Sequence, residues 1–211
     1  MKKFFVFDLD GTLIDTSKGI TEAVNNTLKK FNYGFKYTEA EVIKFLGHGA
    51  RYLYSKATKK NVINENEFAE FQIEYVKTQN ISEVFPNVKD VLNKLVILGI
   101  PLIIFSNKPN GALQFLIKEK LGEIKWSAIQ GNVINFPVKP DVTLLNKIMH
   151  ELNLNPQDGF YVGDSVVDCE TARNAKLKSV ILTYGYGDYS LIDQWNPDYK
   201  FKEFSDLLTL L

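Results

Sequence analysis

Four short apolar runs, each closed by a polar or acidic cluster, constrain this chain more than any other feature. They are Phe4 to Phe7, Pro101 to Phe105, Phe160 to Val162 and Val180 to Tyr184. Such runs, bounded by turn and charge signals, are too short for helices and read as buried strands of the parallel type. Amphipathic patterns separate the last three. Val88 to Leu98 repeats apolar residues at Val88, Val91, Leu92, Leu95 and Val96, and Thr143 to Leu152 does so at Leu144, Leu145, Ile148 and Met149. Strands alternating with such helices predict an α/β fold, a doubly wound, mainly parallel sheet covered on both faces.

The stretch from about Asp15 to Asn80 breaks this rhythm, showing only helical patterns, one of them opened by a capping-box signature at Thr38 and Glu41. It is too long for a crossover. The expectation is a helical insertion, residues 15–81, seated over the end of the first strand, with residues 1–14 and 82–211 forming the core. A chain of 211 residues buries roughly 70% of its unfolded surface, so its stability needs neither disulfides nor a structural metal. The lone Cys169 agrees and suits a reducing compartment. Basic and acidic residues number 25 each, which argues against a nucleic-acid partner because that needs a concentrated positive field. Phe4 to Phe7 is far shorter than a signal-peptide core or a membrane span, so a cytoplasmic chain without a membrane partner is expected. No sequence feature specifies an oligomeric state.

Open α/β sheets bind ligands outside the carboxyl ends of their strands. The first run ends in Asp8-Leu9-Asp10-Gly11-Thr12, the second in Ser106-Asn107-Lys108, and the third in Gly163-Asp164-Ser165 followed by Asp168. Alternation places Asp8 and Asp10 on one side, while Asp164 and Asp168 share a face at a helix start. Carboxylates this close repel unless a cation neutralises them or one keeps a proton. Four at one rim suggest a hard, oxygen-seeking cation, magnesium above calcium because no EF-hand spacing is present. Ser106 and Asn107 offer donors to a phosphate, and Lys139 offers a fixed positive charge. Acid, metal and phosphate donors together point to phosphoryl transfer.

Taken in order and spacing, Asp8 to Thr12, Phe105-Ser106-Asn107, Lys139-Pro140 and Gly163-Asp164-Ser165 to Asp168 closely resemble the four motifs of the haloacid dehalogenase-like hydrolase superfamily. The resemblance spans nearly the whole chain, and the helical insertion looks like that family's small cap. It implies that Asp8 is the nucleophile, forming an aspartyl-phosphate, and that Asp10 protonates the leaving group and later activates water. It implies that Ser106 and Lys139 bind the transferring group, with Lys139 also shielding Asp8. Magnesium would be held by Asp8, the backbone carbonyl of Asp10 and Asp164, with Asp168 in support. An aspartate at position 10 disfavours true dehalogenation and suits a phosphatase.

In the insertion, Leu46-Gly47-His48-Gly49-Ala50-Arg51 sets glycines around a histidine, where backbone can approach a ligand closely. Arg51 is one of only two arginines, and its planar fork suits a carboxylate or phosphate. The resemblance makes this the cap loop facing the active site, with His48, Gly49 and Arg51 as specificity residues, and its form is most similar to phosphoglycolate phosphatase-like members. The expected partner is a small phosphorylated metabolite. Alternatives on the same scaffold are a phosphosugar mutase, which Thr12 disfavours because similar mutases usually carry valine there, a pyrophosphatase or nucleotide phosphatase, and a catalytically silent binding protein. Two positions depart from the family pattern. Asn87 stands where glycine is usual, and Lys176 follows Ala175 where glycine commonly ends the helix.

Overall fold

The computed structural model describes residues 3–211; Met1 and Lys2, the start of the expected core segment, lie outside the described residues. Its strands are β1 (Phe4–Phe7), β2 (Ile14–Asp15), β3 (Glu83–Val84), β4 (Leu102–Pro109), β5 (Ala128–Asn132), β6 (Gly159–Gly163), β7 (Lys178–Leu182) and β8 (Tyr199–Phe201). The helices are α1 (Ser17–Lys30), α2 (Glu39–Ile43), α3 (Ala50–Thr58), α4 (Glu65–Lys77), α5 (Val88–Ile97), α6 (Asn110–Leu121), α7 (Thr143–Glu151), α8 (Val166–Asn174) and α9 (Tyr189–Ile192).

Six strands form one sheet in the order β5-β4-β1-β6-β7-β8, every neighbouring pair parallel. All four residues of β1 are fully buried because the sheet is covered on both faces. Phe5 and Phe7 pack with Leu92 of α5, Leu113 of α6 and Phe204 near the C-terminus, while Phe4 and Val6 pack with Leu145 of α7 and Ala172 of α8. The chain leaves β1 to build β4 on one side and returns to build β6 on the other. The carboxyl end of β1 is therefore the switch point, where loops diverge and leave a crevice.

The sheet follows the sequence expectation, with corrections at its ends. The second strand runs on through Ser106, Asn107 and Lys108, with a register irregularity between Phe105 and Pro109, rather than stopping at Phe105. The fourth predicted run lies two residues earlier, at Lys178–Leu182. Two outer strands, β5 and β8, escaped the sequence pattern. Between β2 and β3, which pair antiparallel, helices α1 to α4 enclose their own apolar cluster, with Ile20, Val24, Leu53, Tyr54, Phe68 and Phe71 at its centre. Ala112 of α6 joins this cluster and ties it to the sheet layer.

Local chemistry sets the ends of several elements. Thr38 donates its backbone N–H to Glu41 at 2.8 Å, fulfilling the capping-box expectation. Asn87 takes the left-handed conformation at φ 63°, which asparagine tolerates and glycine more commonly supplies. Lys176 takes it as well, at φ 58°, so the chain after α8 ends its helix in the expected way without the expected glycine.

Candidate active site

Asp8 follows β1 directly, and its backbone N–H donates to Val162 on β6 at 2.9 Å. The side chain is buried at 7% exposure. Lys139 Nζ reaches Asp8 Oδ2 at 2.9 Å and Asp168 Oδ1 at 2.7 Å, all three groups being buried. Burial lifts the Asp8 carboxyl to about 6, with Lys139 pulling it down and the charges of Asp168 and Asp10 pushing it up. Burial opposes the Lys139 ammonium too, but the carboxylates of Asp168 and Asp8 outweigh it and hold that lysine well above its ordinary range.

Asp164 directly follows β6, and its carboxyl also sits well above the usual range, first from burial and then from the charges of Asp168 and Asp8. Thr12 donates its hydroxyl to Asp164 Oδ1 at 3.0 Å, and the Tyr186 N–H donates to Oδ2 at 2.7 Å. Gly11 makes this packing possible. At φ 80° it occupies glycine territory, and a Cβ there would stand 2.5 Å from Asp164 Oδ2. One oxygen each of Asp8, Asp164 and Asp168 lies within 4.8 Å of the others. Asp8 Oδ1 is buried without any hydrogen-bond partner. An orphaned carboxylate oxygen facing a second buried carboxylate is the donor set of a hard cation. Asp168 is already spent, because its Oδ2 accepts from the N–H groups of Asp164 and Ser165 and from the Ser165 hydroxyl, leaving it to cap α8 and orient Lys139.

Asp10 lines the same cavity, but its side chain stands outside this cluster. Its Oδ1 accepts from the Thr16 hydroxyl at 2.7 Å and Lys108 Nζ at 2.9 Å, so of the four carboxylates expected at the rim its side chain is the one outside the cluster, and the metal contact that the resemblance implies is through its backbone carbonyl. Lys108 is the site residue that sequence reasoning missed. Its ammonium is wholly buried beneath the Tyr75 ring of α4 at 4.6 Å and donates to the Tyr75 hydroxyl at 3.1 Å. Burial lowers its pKa although Asp10 opposes that change. The only sequence signal was its place at the end of a strand beside Ser106.

Of the expected phosphate ligands, Ser106 is buried on the cavity wall, its hydroxyl donating to no group. The Asn107 side chain is committed elsewhere. Its amide donates to the Gly47 carbonyl at 2.8 Å and the Lys139 carbonyl at 3.2 Å, and its oxygen accepts the Lys139 N–H at 2.7 Å, stitching the cap loop to the core. His48 and Gly49 line the cavity, His48 with its ring 4.7 Å from that of Tyr52. Arg51 does not. Its guanidinium forms a bidentate pair with Glu65 on the exposed outer face, at 2.5 and 3.0 Å, and stacks on Phe68. The first turn of α3 carries it away from the loop, which corrects the expectation of a cavity contact.

This doubly wound α/β sheet, with buried carboxylates and a lysine gathered at its switch point, is the architecture of an enzyme that handles a charged group. The family model for haloacid dehalogenase-like hydrolases matches residues 5–182, and the chain belongs to that family. It is 32% identical to the phosphoglycolate phosphatase of Haemophilus influenzae, covering 99% of this chain and 98% of that protein. It is also 32% identical to phosphoglycolate phosphatase 1 of Pseudomonas aeruginosa, covering 99% and 79%. Among solved structures, a predicted phosphoglycolate phosphatase from Haemophilus somnus superposes with a TM-score of 0.86 at 29% identity, over 99% of this chain and 97% of that one. Among the described residues no helix is long and apolar enough to cross a membrane.

Proposed function

We propose that this chain is a magnesium-dependent phosphatase of small phosphate monoesters, working through an aspartyl-phosphate on Asp8, with phosphoglycolate as the first substrate to test. The observation that carries the reading is the state of Asp8. One oxygen is held by Lys139, and the other is buried, unpartnered and beside Asp164. Asp8, Asp164 and the Asp10 carbonyl would hold magnesium, which when bound neutralises phosphate charge and keeps Asp8 ionised. The names of the similar phosphatases support the substrate class.

Each residue then has a separate task. The Asp8 carboxylate attacks phosphorus, the ester P–O bond breaks, and the departing oxygen takes a proton from Asp10. Water then gives its proton to Asp10 and attacks phosphorus, cleaving the bond to Asp8. Asp10 Oδ1 is fixed by Thr16 and Lys108, while Oδ2 accepts no hydrogen bond and is the oxygen open to carry that proton. The Ser106 hydroxyl and Lys139 ammonium would bind the transferring group where charge accumulates. Residues 15–81 would act as a cap on a core of residues 1–14 and 82–211, limiting water at the reaction.

Phosphate release from phosphoglycolate, sugar phosphates, nucleotides and pyrophosphate, with and without magnesium, tests the reading. Magnesium-dependent release from a monoester, abolished in Asp8→Asn, is expected. Release unaffected by that substitution refutes the covalent route, and transfer of the phosphoryl group between sugar hydroxyls without net release identifies a mutase instead.

A further inference from the structure

The cavity does not end at the catalytic carboxylates. Its volume is about 580 Å³, within the range of roughly 300–1,000 Å³ that encloses ligands of drug-like size rather than a two-carbon acid. The inner end is formed by Asp8, Asp10, Ser106 and Asp164, and the outer end by Val166, Val167, Leu191 and Trp195 of the core and Ile43 and Leu46 of the cap. Lys44, Glu170, Asp188 and Gln194 share that lining, so apolar side chains make the larger part of it but not the whole.

Several features mark this end as a built surface. The Trp195 indole is clamped from behind by the Arg173 guanidinium, 4.5 Å from its ring, which also donates to the Trp195 carbonyl at 3.2 Å. Trp195 and Val166 pack on a buried base of Cys169, Ile181 and Ile192. Leu191, by contrast, keeps 50% of its surface exposed at the cavity wall. A fixed aromatic plate beside an uncovered leucine offers an apolar body a preformed place to stack.

The cations that would fix a small carboxylate are already engaged. Arg51 is paired with Glu65 on the outer face, Lys108 with Asp10 and Lys139 with Asp8 and Asp168. On the outer wall Asp188 accepts from Ser190, and the carboxylates of Asp188 and Glu170 outnumber the Lys44 ammonium on the same lining, so no net positive field favours an anion there.

We propose that this outer chamber binds the leaving group of the substrate, that Trp195 and Leu191 determine specificity, and that the preferred substrates are phosphate monoesters of neutral, ring-sized alcohols. The proposal rests on the phosphatase reading above and supplies its substrate class. With phosphorus placed at Asp8, an ester oxygen facing Asp10 directs its carbon skeleton away from the sheet and toward Val166 and Trp195. A two-carbon acid leaves most of the chamber filled with water, whereas a ring displaces it.

Benzyl phosphate and phosphoglycolate, assayed under magnesium with the wild type, Trp195→Ala and Leu191→Asn, provide the test. The wild type is expected to turn over benzyl phosphate with the higher kcat/KM. Trp195→Ala and Leu191→Asn should each lower that value about tenfold and change the value for phosphoglycolate less than twofold. Leu191 is half-exposed, so its substitution tests the chamber even if removal of the indole unsettles the fold. Equal losses on both substrates, or a wild-type preference for phosphoglycolate, would overturn the proposal. Calorimetric titration with benzylphosphonate separates the two levels. Tight binding that weakens tenfold in the variants, without turnover of any ester, would uphold the chamber and sink the phosphatase reading, while turnover with variant-independent binding would do the reverse.

Discussion

Replacing Asp8 with Asn should destroy activity and, in the metal-free protein, raise stability. Asp8 is buried, and its carboxyl is lifted from 3.8 to about 6, with burial the largest cause. The folded state therefore keeps a proton on Asp8 at pH values where the unfolded chain has released it. Folding binds protons over that interval, so this group's contribution to stability falls as pH rises from about 4 to about 6 and stays low above it. At roughly 1.4 kcal/mol for each pH unit, holding Asp8 ionised at neutral pH costs the fold about 3 kcal/mol. Asparagine has nearly the same shape and never ionises, so it escapes the cost. Urea unfolding of both proteins in EDTA, from pH 4 to pH 8, measures the difference. The two should match near pH 4, and the variant should gain about 3 kcal/mol by pH 7. Saturating magnesium should narrow that gap by stabilising only the protein able to bind it, by about 2.7 kcal/mol at a hundredfold excess over Kd. A gap independent of pH, or a variant less stable than the wild type at pH 8, would refute the reasoning.

Other substitutions separate the parts of the site. Lys139→Met removes the cation between two buried carboxylates and should cost roughly 3–5 kcal/mol of stability, read by urea unfolding at pH 7, together with nearly all turnover. Lys108→Met takes a donor from Asp10 and from Tyr75 and should lower kcat on the order of tenfold with the metal requirement unchanged, as steady-state kinetics would show. Arg51→Ala should alter kcat/KM less than twofold and lower stability by no more than about 1 kcal/mol in thermal unfolding, because its ion pair with Glu65 lies at the exposed face. EDTA should abolish phosphate release, and added magnesium should restore it.

The parts of this molecule that were legible in sequence are those whose physics is local. Phe4 to Phe7, fully buried on both faces, could hardly be anything but a central parallel strand, and the acid cluster after it marked the switch point. The outer strands were hidden for the opposite reason. Ala128–Asn132 carries Gln130, Gly131 and Asn132, and Tyr199–Phe201 is three residues long and half-exposed, so neither makes an apolar run. Lys108 is a harder lesson. A lysine after a strand reads as surface, and its burial depends on Asp10, 98 residues away, and on Tyr75 from the inserted helices. Arg51 shows the converse, since its type suited an anion but the start of α3 turned it outward to Glu65. Asn107 was placed correctly at the rim, yet its amide serves the junction between Gly47 and Lys139, a contact no spacing reveals.

The claim on which the rest depends is a covalent intermediate on Asp8. It is tested most directly by acid-quenching the enzyme during turnover, reducing any acyl phosphate with borohydride and locating the product by peptide mass spectrometry. The account predicts homoserine at position 8, formed only with substrate and magnesium and absent from Asp8→Asn. Homoserine at another aspartate, or a phosphoryl adduct on a side chain other than Asp8, would contradict it.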